Sequence, residues 1–390
     1  MNVPLLDLNA QYEPIIDEIK IEIEKLYSSH HYILGPIVRD FEHEIEKYLD
    51  VKHAIGCASG TDAILLSLMA IMILNNSNLE AFADKKKINS VSQAKNQAEI
   101  ITTPMSFFAT ASTIVRSGAK PVFVDIDEKT FNIDPELIEE AITENTIAIM
   151  PVHLFGQSAD MDRILEIAKK YGLYVIEDNA QGIGAKYNNK YAGTIGDIGT
   201  LSFFPSKNLG AMGDAGMCLT NNDDIANIIK QLRVHGENPK YFHKYIGLNS
   251  RLDSIQAAVL KVKLKYLESW SEARRENAKY YYELLSDISE IELPYVSSFN
   301  KHIYNQFTIL TKQRDELMIH LNKNYIGCAV YYPLPLHLQE CFAYLGGKIG
   351  DCPVCEDICK QVLSIPIYSE LDIKQIEYIA KKIKKFFKHD

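Results

Sequence analysis

The sequence predicts an α/β protein in which a mostly parallel sheet lies between helices and a smaller α+β unit follows. Between residues 54 and 178, short strand-like stretches alternate with helix-like ones. This alternation is typical of a parallel sheet that is covered on both faces. After about residue 255 the pattern becomes a long helical one, rich in charge and tyrosine. We therefore predict domains at residues 1–255 and 256–390, which 390 residues can accommodate.

The elements follow in a regular order along the chain. Amphipathic helical patterns come first, at 15–26 and 37–49. The alternating stretches are 54–57, a helix to about 74, 99–102, 112–117, 121–124, 135–141, 146–152, 161–171 and 173–178. The C-terminal unit has predicted strands near 304–310 and 328–332 and a closing helix from about 372 to 387.

Residues 75–97 form a polar insert between the first of these helices and the next strand. Its Asn, Lys and Ser content is typical of a surface loop. The alternative is a flap over a substrate mouth or a subunit contact.

Composition argues against several classes of protein. The formal net charge is −10 and basic runs are short, so an acidic surface would repel a nucleic acid. We find no window of about eighteen apolar residues and no export signal, so we expect a cytoplasmic protein without a membrane partner.

Seven cysteines, an odd number, indicate free thiols. Cys352, Cys355 and Cys359 are spaced either for a metal or for the apolar stripe of a helix capped by Asp351. We favour the stripe and predict no metal site, because no second Cys or His pair accompanies these residues.

Lys207 and Asp178 are the residues that indicate the type of reaction most directly. Lys207 follows an apolar strand-like stretch, and Asp178 ends the run 173–178, at the edge where open α/β sheets bind ligands. A pyridoxal 5′-phosphate enzyme needs a lysine to form a Schiff base with the aldehyde, a carboxylate to keep the pyridine nitrogen protonated, and donors for the phosphate. A lone aspartate at this place would be a strand-end cap, so the pair carries the prediction.

Phosphate donors are predicted at Gly60 and Thr61, where small residues precede a helical pattern. Free N–H groups at a helix start bind anions, and the helix macrodipole reinforces them. Ser202 can add a hydroxyl. A lone Ser-Gly-Thr is typical of a plain helix cap, so its meaning depends on Lys207 and Asp178.

These residues and several longer stretches together resemble a known family. The chain is similar over nearly its whole length to the sugar-nucleotide aminotransferases of the DegT/DnrJ/StrS group, which are fold type I pyridoxal phosphate enzymes. The matching stretches are 35–42, 59–63, 118–125, 177–181, 202–210, 247–253, 255–258 and 331–337. The resemblance implies a large domain with a seven-stranded-type, mostly parallel sheet sandwiched by helices, and a smaller C-terminal α+β domain.

The resemblance also implies roles for cofactor contacts. It places Gln181 near the phenolic oxygen of the cofactor ring and Phe107, in preference to Phe108, against the ring face. Asn249 falls where the family reaches the neighbouring subunit's cofactor phosphate. We therefore expect a homodimer with shared active sites.

Substrate recognition is implied for Tyr331, Tyr332 and His337, which flank a proline-rich turn that the family places at the sugar pocket. Tyrosine hydroxyls and imidazole suit a ligand with hydroxyls and a diphosphate. Buried tyrosines are also commonly structural.

The expected reaction transfers an amino group from glutamate, through pyridoxamine 5′-phosphate, to a nucleotide-linked keto-sugar. The segments 302–307 and 331–339 favour the branch of the family that acts on 3-keto sugars, so we predict a dTDP-linked 3-keto-6-deoxyhexose. A 4-keto substrate and a UDP-linked or GDP-linked substrate stay open, as do the sugar's stereochemistry and the end product.

Two other functions are compatible with parts of this pattern. A sugar dehydratase of the same fold replaces the lysine with histidine, so Lys207 argues against it. A non-catalytic sensor or regulatory protein is the alternative from another class, and Lys207, Asp178, Gln181 and Ser202 together argue against that reading.

Overall fold

The computed structural model describes residues 1–82 and 97–388, with the backbone alone for residues 76–82. The helices in these ranges are α1 (Leu8–Tyr12), α2 (Ile16–Ser29), α3 (Pro36–Leu49), α4 (Gly60–Phe82), α5 (Ala109–Arg116), α6 (Met161–Tyr171), α7 (Asp223–Leu232), α8 (Ser254–Leu264), α9 (Leu267–Leu285), α10 (Arg314–Lys323), α11 (Pro353–Gln361) and α12 (Ile373–Phe387). The strands are β1 (His53–Cys57), β2 (Glu99–Thr102), β3 (Lys120–Phe123), β4 (Thr146–Met150), β5 (Tyr174–Asp178), β6 (Lys186–Tyr187), β7 (Lys190–Tyr191), β8 (Ile198–Ser202), β9 (Gly216–Thr220), β10 (Asn300–Lys301), β11 (Phe307–Leu310) and β12 (Val362–Ile365).

A seven-stranded sheet forms the centre of the large unit, in the order β1-β9-β8-β5-β4-β2-β3. The strands from β8 to β3 pair in parallel, and β9 runs antiparallel to both β1 and β8. One apolar cluster joins the sheet to α4, α5 and α7, and two others join it to α3, α8 and α6. The predicted fold class is therefore confirmed. Burial on both faces explains why the strands read as continuous apolar runs.

The smaller unit is built around the antiparallel pair β11 and β12, with α9, α10 and α12 against it. Val3, at the other end of the chain, lies in the same apolar cluster and bridges to Ile326. α8 instead packs on α2 and α3. We propose that the smaller unit begins in α9 and includes Val3, instead of beginning at residue 256.

Two local predictions differ from the structure. α4 continues to Phe82, so the expected loop is wrong for residues 75–82, and the prediction for residues 83–96 lies outside the described residues. The expected strand at 328–332 is reduced to a single bridge between Ala329 and Ser364, because β12 takes the place beside β11. Its sequence Val-Leu-Ser-Ile was strand-like but was missed.

The cysteine stripe on α11 lies in the core, as favoured. Cys352, Cys355 and Cys359 belong to one apolar cluster. The expected cap is wrong, because Asp351 accepts from the backbone of Lys348. Asp125 instead accepts from the first N–H groups of α11, at 2.8 Å and 2.9 Å. In the described part of the chain, no helix combines the length and the apolar character that crossing a membrane requires.

Candidate active site

The sheet topology brings the predicted residues to one edge. β5 and β8 are neighbours with Asp178 opposite Thr200, so the strand that ends at Asp178 lies beside the strand that leads to Lys207. β1 ends at the same edge, because Gly216 of β9 is paired with both Cys57 and Ser202. This is the carboxyl edge, where open α/β sheets bind ligands.

Asp178 is buried at this edge and held by two donors. Thr110 donates its hydroxyl to Oδ2 at 2.7 Å, and the backbone N–H of Ala180 donates to Oδ1 at 3.2 Å. Burial raises the pKa of Asp178, while these hydrogen bonds and the charge of Lys207 lower it. Ser106 lies 2.7 Å from the Thr110 hydroxyl; since the single Thr110 proton points to Asp178, Ser106 is the donor to Thr110.

Glu177 occupies the opposite face of β5, as the strand alternation predicted. It is fully buried and accepts from His153 and from the backbone of Gly193, Ile195 and Gly196, at 2.7–2.8 Å. The N–H of Ala159 donates to His153 Nδ1, so the proton of that imidazole is on Nε2. Glu177 therefore organises the 193–196 turn and takes no part in the site.

Lys207 projects from a short loop that follows β8. Its backbone N–H donates to the carbonyl of Phe204 at 2.8 Å, and the neighbouring Asn208 donates its side-chain amide to the carbonyl of Ile303 at 3.1 Å. Burial lowers the pKa of Lys207 to about 8, and the negative charge of Asp178 raises it. The lowered pKa of Lys207 favours the neutral, nucleophilic form of the amine.

The start of α4 provides a backbone cradle for an anion. The N–H groups of Gly60 and Thr61 have no acceptor within the described ranges, as expected for a helix start. A Cβ at Gly60 would lie 2.5 Å from Ser202 Cβ, and a Cβ at Gly216 would lie 2.2 Å from the backbone of Ser59. Both positions therefore require glycine, and Ser202 is placed directly against the cradle.

One support of this cradle was missed by sequence reasoning. Ser250 donates its hydroxyl to Asp62 at 2.8 Å and accepts from the N–H of Ala58 at 3.2 Å. It thus engages the carboxylate of the first helical turn, which would otherwise oppose a bound anion. Nothing in the local sequence pairs residues 188 positions apart.

Gln181 and Tyr332 meet beside Asp178. The side-chain amide of Gln181 donates to the Tyr332 hydroxyl at 3.1 Å, and its oxygen accepts from the N–H of Phe155 at 2.7 Å. Phe107 is exposed and its ring lies 6.4 Å from that of Tyr332. Phe108 instead stacks on Phe342 at 5.4 Å, which is consistent with the preference for Phe107.

The remaining predicted residues are not all brought to this group. Tyr331 contacts Tyr332 ring to ring at 5.8 Å, whereas Asn249 is exposed on a bridge to Val234. His337 is 4% exposed and its Nε2 lies 3.1 Å from Glu356. The His337 side chain, which was expected to face a sugar, is therefore buried against Glu356 of α11.

Comparison with known proteins agrees with this geometry. The sequence profile of the DegT/DnrJ/EryC1/StrS aminotransferase family matches residues 14–384. The chain belongs to this family. The crystal structure of S. venezuelae DesV in complex with a ketimine intermediate superposes with a TM-score of 0.91 and 34% identity, over 99% of this chain and 98% of that one.

Curated relatives carry two kinds of name. A protein of Geobacillus stearothermophilus named pleiotropic regulatory protein is 47% identical over 391 residues, all of both chains. UDP-N-acetyl-3-dehydro-α-D-glucosamine 3-aminotransferase of Acidithiobacillus ferrooxidans is 40% identical, over 98% of this chain and 97% of its own. Further relatives at 36% and 38% identity are named as transaminases of dTDP-linked 3-amino sugars.

The predicted enzyme class and cofactor are confirmed: the aminotransferase uses pyridoxal 5′-phosphate. The residues present fit this cofactor. A glycine cradle with free N–H donors suits the phosphate, a buried carboxylate with uncommitted lone pairs suits the ring nitrogen, and a half-buried amine suits the aldehyde.

Proposed function

We propose that the enzyme transfers the amino group of glutamate to carbon 3 of a nucleotide-linked 3-keto sugar. The observation that carries the proposal is the placement of Lys207 and Asp178 beside a backbone anion cradle at one sheet edge. Relatives named for 3-amino sugars support the position on the ring.

The chain's own residues have distinct tasks in this proposal. The N–H groups of Gly60 and Thr61 and the Ser202 hydroxyl would hold the cofactor phosphate, and Asp178 would keep the ring nitrogen protonated. When bound, the cofactor supplies an electron sink for the carbon next to the transferred nitrogen. Lys207 Nζ would take the proton from the α-carbon of glutamate and deliver a proton to the sugar carbon.

Gln181 and Tyr332 would form the side of the pocket that faces the substrate. Tyr332 stays protonated, because burial raises its pKa, so its hydroxyl retains a donor while accepting from Gln181. Phe107, exposed and next to Tyr332, would cover the cofactor ring. Tyr331 adds a second phenol at the same place.

The nucleotide and the sugar are the finer part of the proposal. A dTDP-linked 3-keto-6-deoxyhexose is the proposed substrate, with a UDP-linked 3-keto sugar as the direct competitor. Moving the carbonyl from carbon 3 to carbon 4 rotates the sugar against a fixed diphosphate, so one pocket cannot serve both well.

A substrate panel tests this assignment. The enzyme, glutamate labelled with ¹⁵N at the amino group, and each of four sugar nucleotides (dTDP or UDP, 3-keto or 4-keto) are incubated, and products are weighed by mass spectrometry. We expect label in the dTDP-linked 3-amino product first. Preferential labelling of the UDP compound would change the nucleotide, and labelling of 4-keto compounds alone would overturn the assignment to carbon 3.

A regulatory role is the second candidate, because the 47% identical relative is named as a regulatory protein. The two functions differ in their response to an amino donor. A catalytic protein should change its visible cofactor absorbance on addition of glutamate and recover it with a keto sugar, whereas a sensor without catalysis should not turn over. Lys207→Ala should abolish this response, and Lys190→Ala, a change at an exposed lysine, is its control.

We also propose that Asn249 acts in the neighbouring subunit of a homodimer, since its side chain is exposed next to Ser250, which supports the cradle. A Lys207→Ala chain mixed with an Asn249→Ala chain would form one site with both changes and one with neither. Recovered activity after subunit exchange supports sharing. No recovery despite proven exchange would place Asn249 outside the partner's site.

A further inference from the structure

A buried lysine outside the site contacts the loop that carries Lys207. Lys263, in α8, is 0% exposed, and no carboxylate of the described residues lies within 4.0 Å of its Nζ. Burial lowers the pKa of Lys263 to about 7, while the charge of Glu370 raises it. A lysine buried without an ion pair destabilises a fold, so packing alone does not account for this residue.

Two aromatic rings surround the ammonium group. Lys263 Nζ lies 4.3 Å from the ring centroid of Tyr12 and 5.6 Å from that of Trp270. It also donates to the Tyr12 hydroxyl at 3.2 Å. The rest of the cluster is apolar: it consists of Tyr266 and of aliphatic residues from α2, from α8 and from the turn before α2. The aromatic faces partly replace the lost hydration of the cation, and Tyr12 is its only hydrogen-bond acceptor among the described residues.

Tyr12 links Lys263 to the loop that carries Lys207. Its hydroxyl donates to the carbonyl of Ala211 at 3.3 Å. Burial raises the pKa of Tyr12, so the phenol keeps its proton. In its charged form Lys263 only donates, so the Tyr12 oxygen accepts from it and the single phenolic proton is directed toward Ala211.

Ala211 closes the loop that bears Lys207. Its N–H donates to the carbonyl of Phe203 at 2.8 Å, and inside the loop the N–H of Lys207 donates to the carbonyl of Phe204 at 2.8 Å. A Cβ at Gly210 would lie 2.3 Å from the carbonyl oxygen of Pro205, so the loop is closely folded on itself. Ala211 and Lys207 therefore belong to one closely folded loop, in which the position of Ala211 bears on that of Lys207.

We propose that Lys263 and Tyr12 are positioning residues for the amine of Lys207. The ammonium of Lys263 orients the Tyr12 hydroxyl, and that hydroxyl holds the end of the 203–211 loop so that Lys207 Nζ faces Asp178. Through Tyr12, the N-terminal helix α1 thus supports the loop that carries Lys207. This inference rests on the proposed role of Lys207.

The test uses Tyr12→Phe, which removes one hydroxyl, Lys263→Met, which keeps the length without the charge, and the double variant. Lys265→Met, an exposed lysine two residues further on, is the control. We measure thermal unfolding of the holoenzyme, kcat and KM for glutamate, and the rate at which cofactor-free protein forms the borohydride-reducible link to Lys207, identified by peptide mass spectrometry.

We expect both single variants and the double variant to lose kcat to the same extent, about tenfold or about 1.4 kcal/mol, with KM for glutamate unchanged. Link formation should slow in parallel, and Lys263→Met should unfold at an equal or higher temperature than wild type. Additive losses, unchanged kcat per folded molecule, or loss only in proportion to lowered stability would overturn the proposal. Absence of the reducible link in the wild type would instead reject the role of Lys207 itself.

Discussion

The two faces of β5 at its end carry neighbouring carboxylates with opposite surroundings. Glu177 receives four hydrogen bonds, from one imidazole and three backbone N–H groups, and is fully buried. Asp178 receives two and keeps lone pairs toward the edge where Lys207 lies. A carboxylate saturated by the fold stabilises structure, whereas one left partly unsatisfied is available to a ligand. Glu177 and Asp178 are both carboxylates and are adjacent in sequence. Their difference therefore comes from the hydrogen-bond partners that each face of β5 provides.

Lys207→Ala should have the largest effect of these substitutions. It should change activity and leave the fold intact, because Lys207 lies on the side of the sheet edge that Asp178 faces. The residue is both the cofactor's anchor and the proposed proton carrier, so kcat should fall by at least about 10⁴-fold. Circular dichroism should remain unchanged, and Lys190→Ala should behave as wild type. Activity above a hundredth of wild type would remove Lys207 from the proposed chemistry.

Asp178→Asn should slow turnover by roughly 10²–10³-fold, because an amide cannot stabilise a protonated ring nitrogen as a carboxylate does. The unfolding temperature should change little, since only two hydrogen bonds to Asp178 are involved. Steady-state kinetics and thermal unfolding together check this. A stability loss that matches the activity loss would mean that Asp178 is only a strand-end cap.

Glu177→Gln should lower stability and leave activity nearly unchanged, the reverse of Asp178→Asn. The Gln amide cannot accept from all of the buried donors that Glu177 satisfies, so the free energy of unfolding should fall by about 1–3 kcal/mol for each donor left without an acceptor. The kcat per folded molecule, measured well below the unfolding temperature, should stay within about threefold of wild type. Urea denaturation gives the first quantity. A variant that is stable but inactive would break the contrast between the two faces.

The pH dependence of stability offers a further comparison in the cofactor-free protein. The pKa of Lys207 is lowered from 10.5 to about 8 in the folded state. Between these values the unfolded chain binds more protons, so stability should rise with pH from about 8 to 10.5, by at most about 1.4 kcal/mol per pH unit. Lys207→Met should flatten this rise. An unchanged slope would show that Lys207 is not titrating there.

Phe107→Leu should have the smallest effect. Losing an aromatic contact with the cofactor ring should weaken cofactor affinity by about two- to tenfold. Phe108→Leu is the matched control, because Phe108 stacks on Phe342 instead, and should leave the affinity unchanged. Equilibrium dialysis of the cofactor measures both. Equal effects would cancel the distinction between the two phenylalanines.

The sequence alone determined the fold class, and it predicted the principal site residues. Alternating apolar stretches indicate a covered parallel sheet wherever they occur, and a strand followed at once by Asp178 or by the Lys207 loop places both at its carboxyl edge. Strand alternation also separated Glu177 from Asp178. These are local patterns, which depend on neighbours a few residues apart.

Only the tertiary structure decided which polar groups are committed to partners. Thr110 reaches Asp178 across 68 residues, and Asp125 caps α11 across 229, in place of the adjacent Asp351. The His337 side chain is paired with Glu356, whereas Tyr332, in the same stretch of sequence, accepts a hydrogen bond from Gln181. Hydrogen-bond satisfaction in a buried region depends on which groups the folded chain brings within about 3 Å, and this distance is not encoded in local spacing.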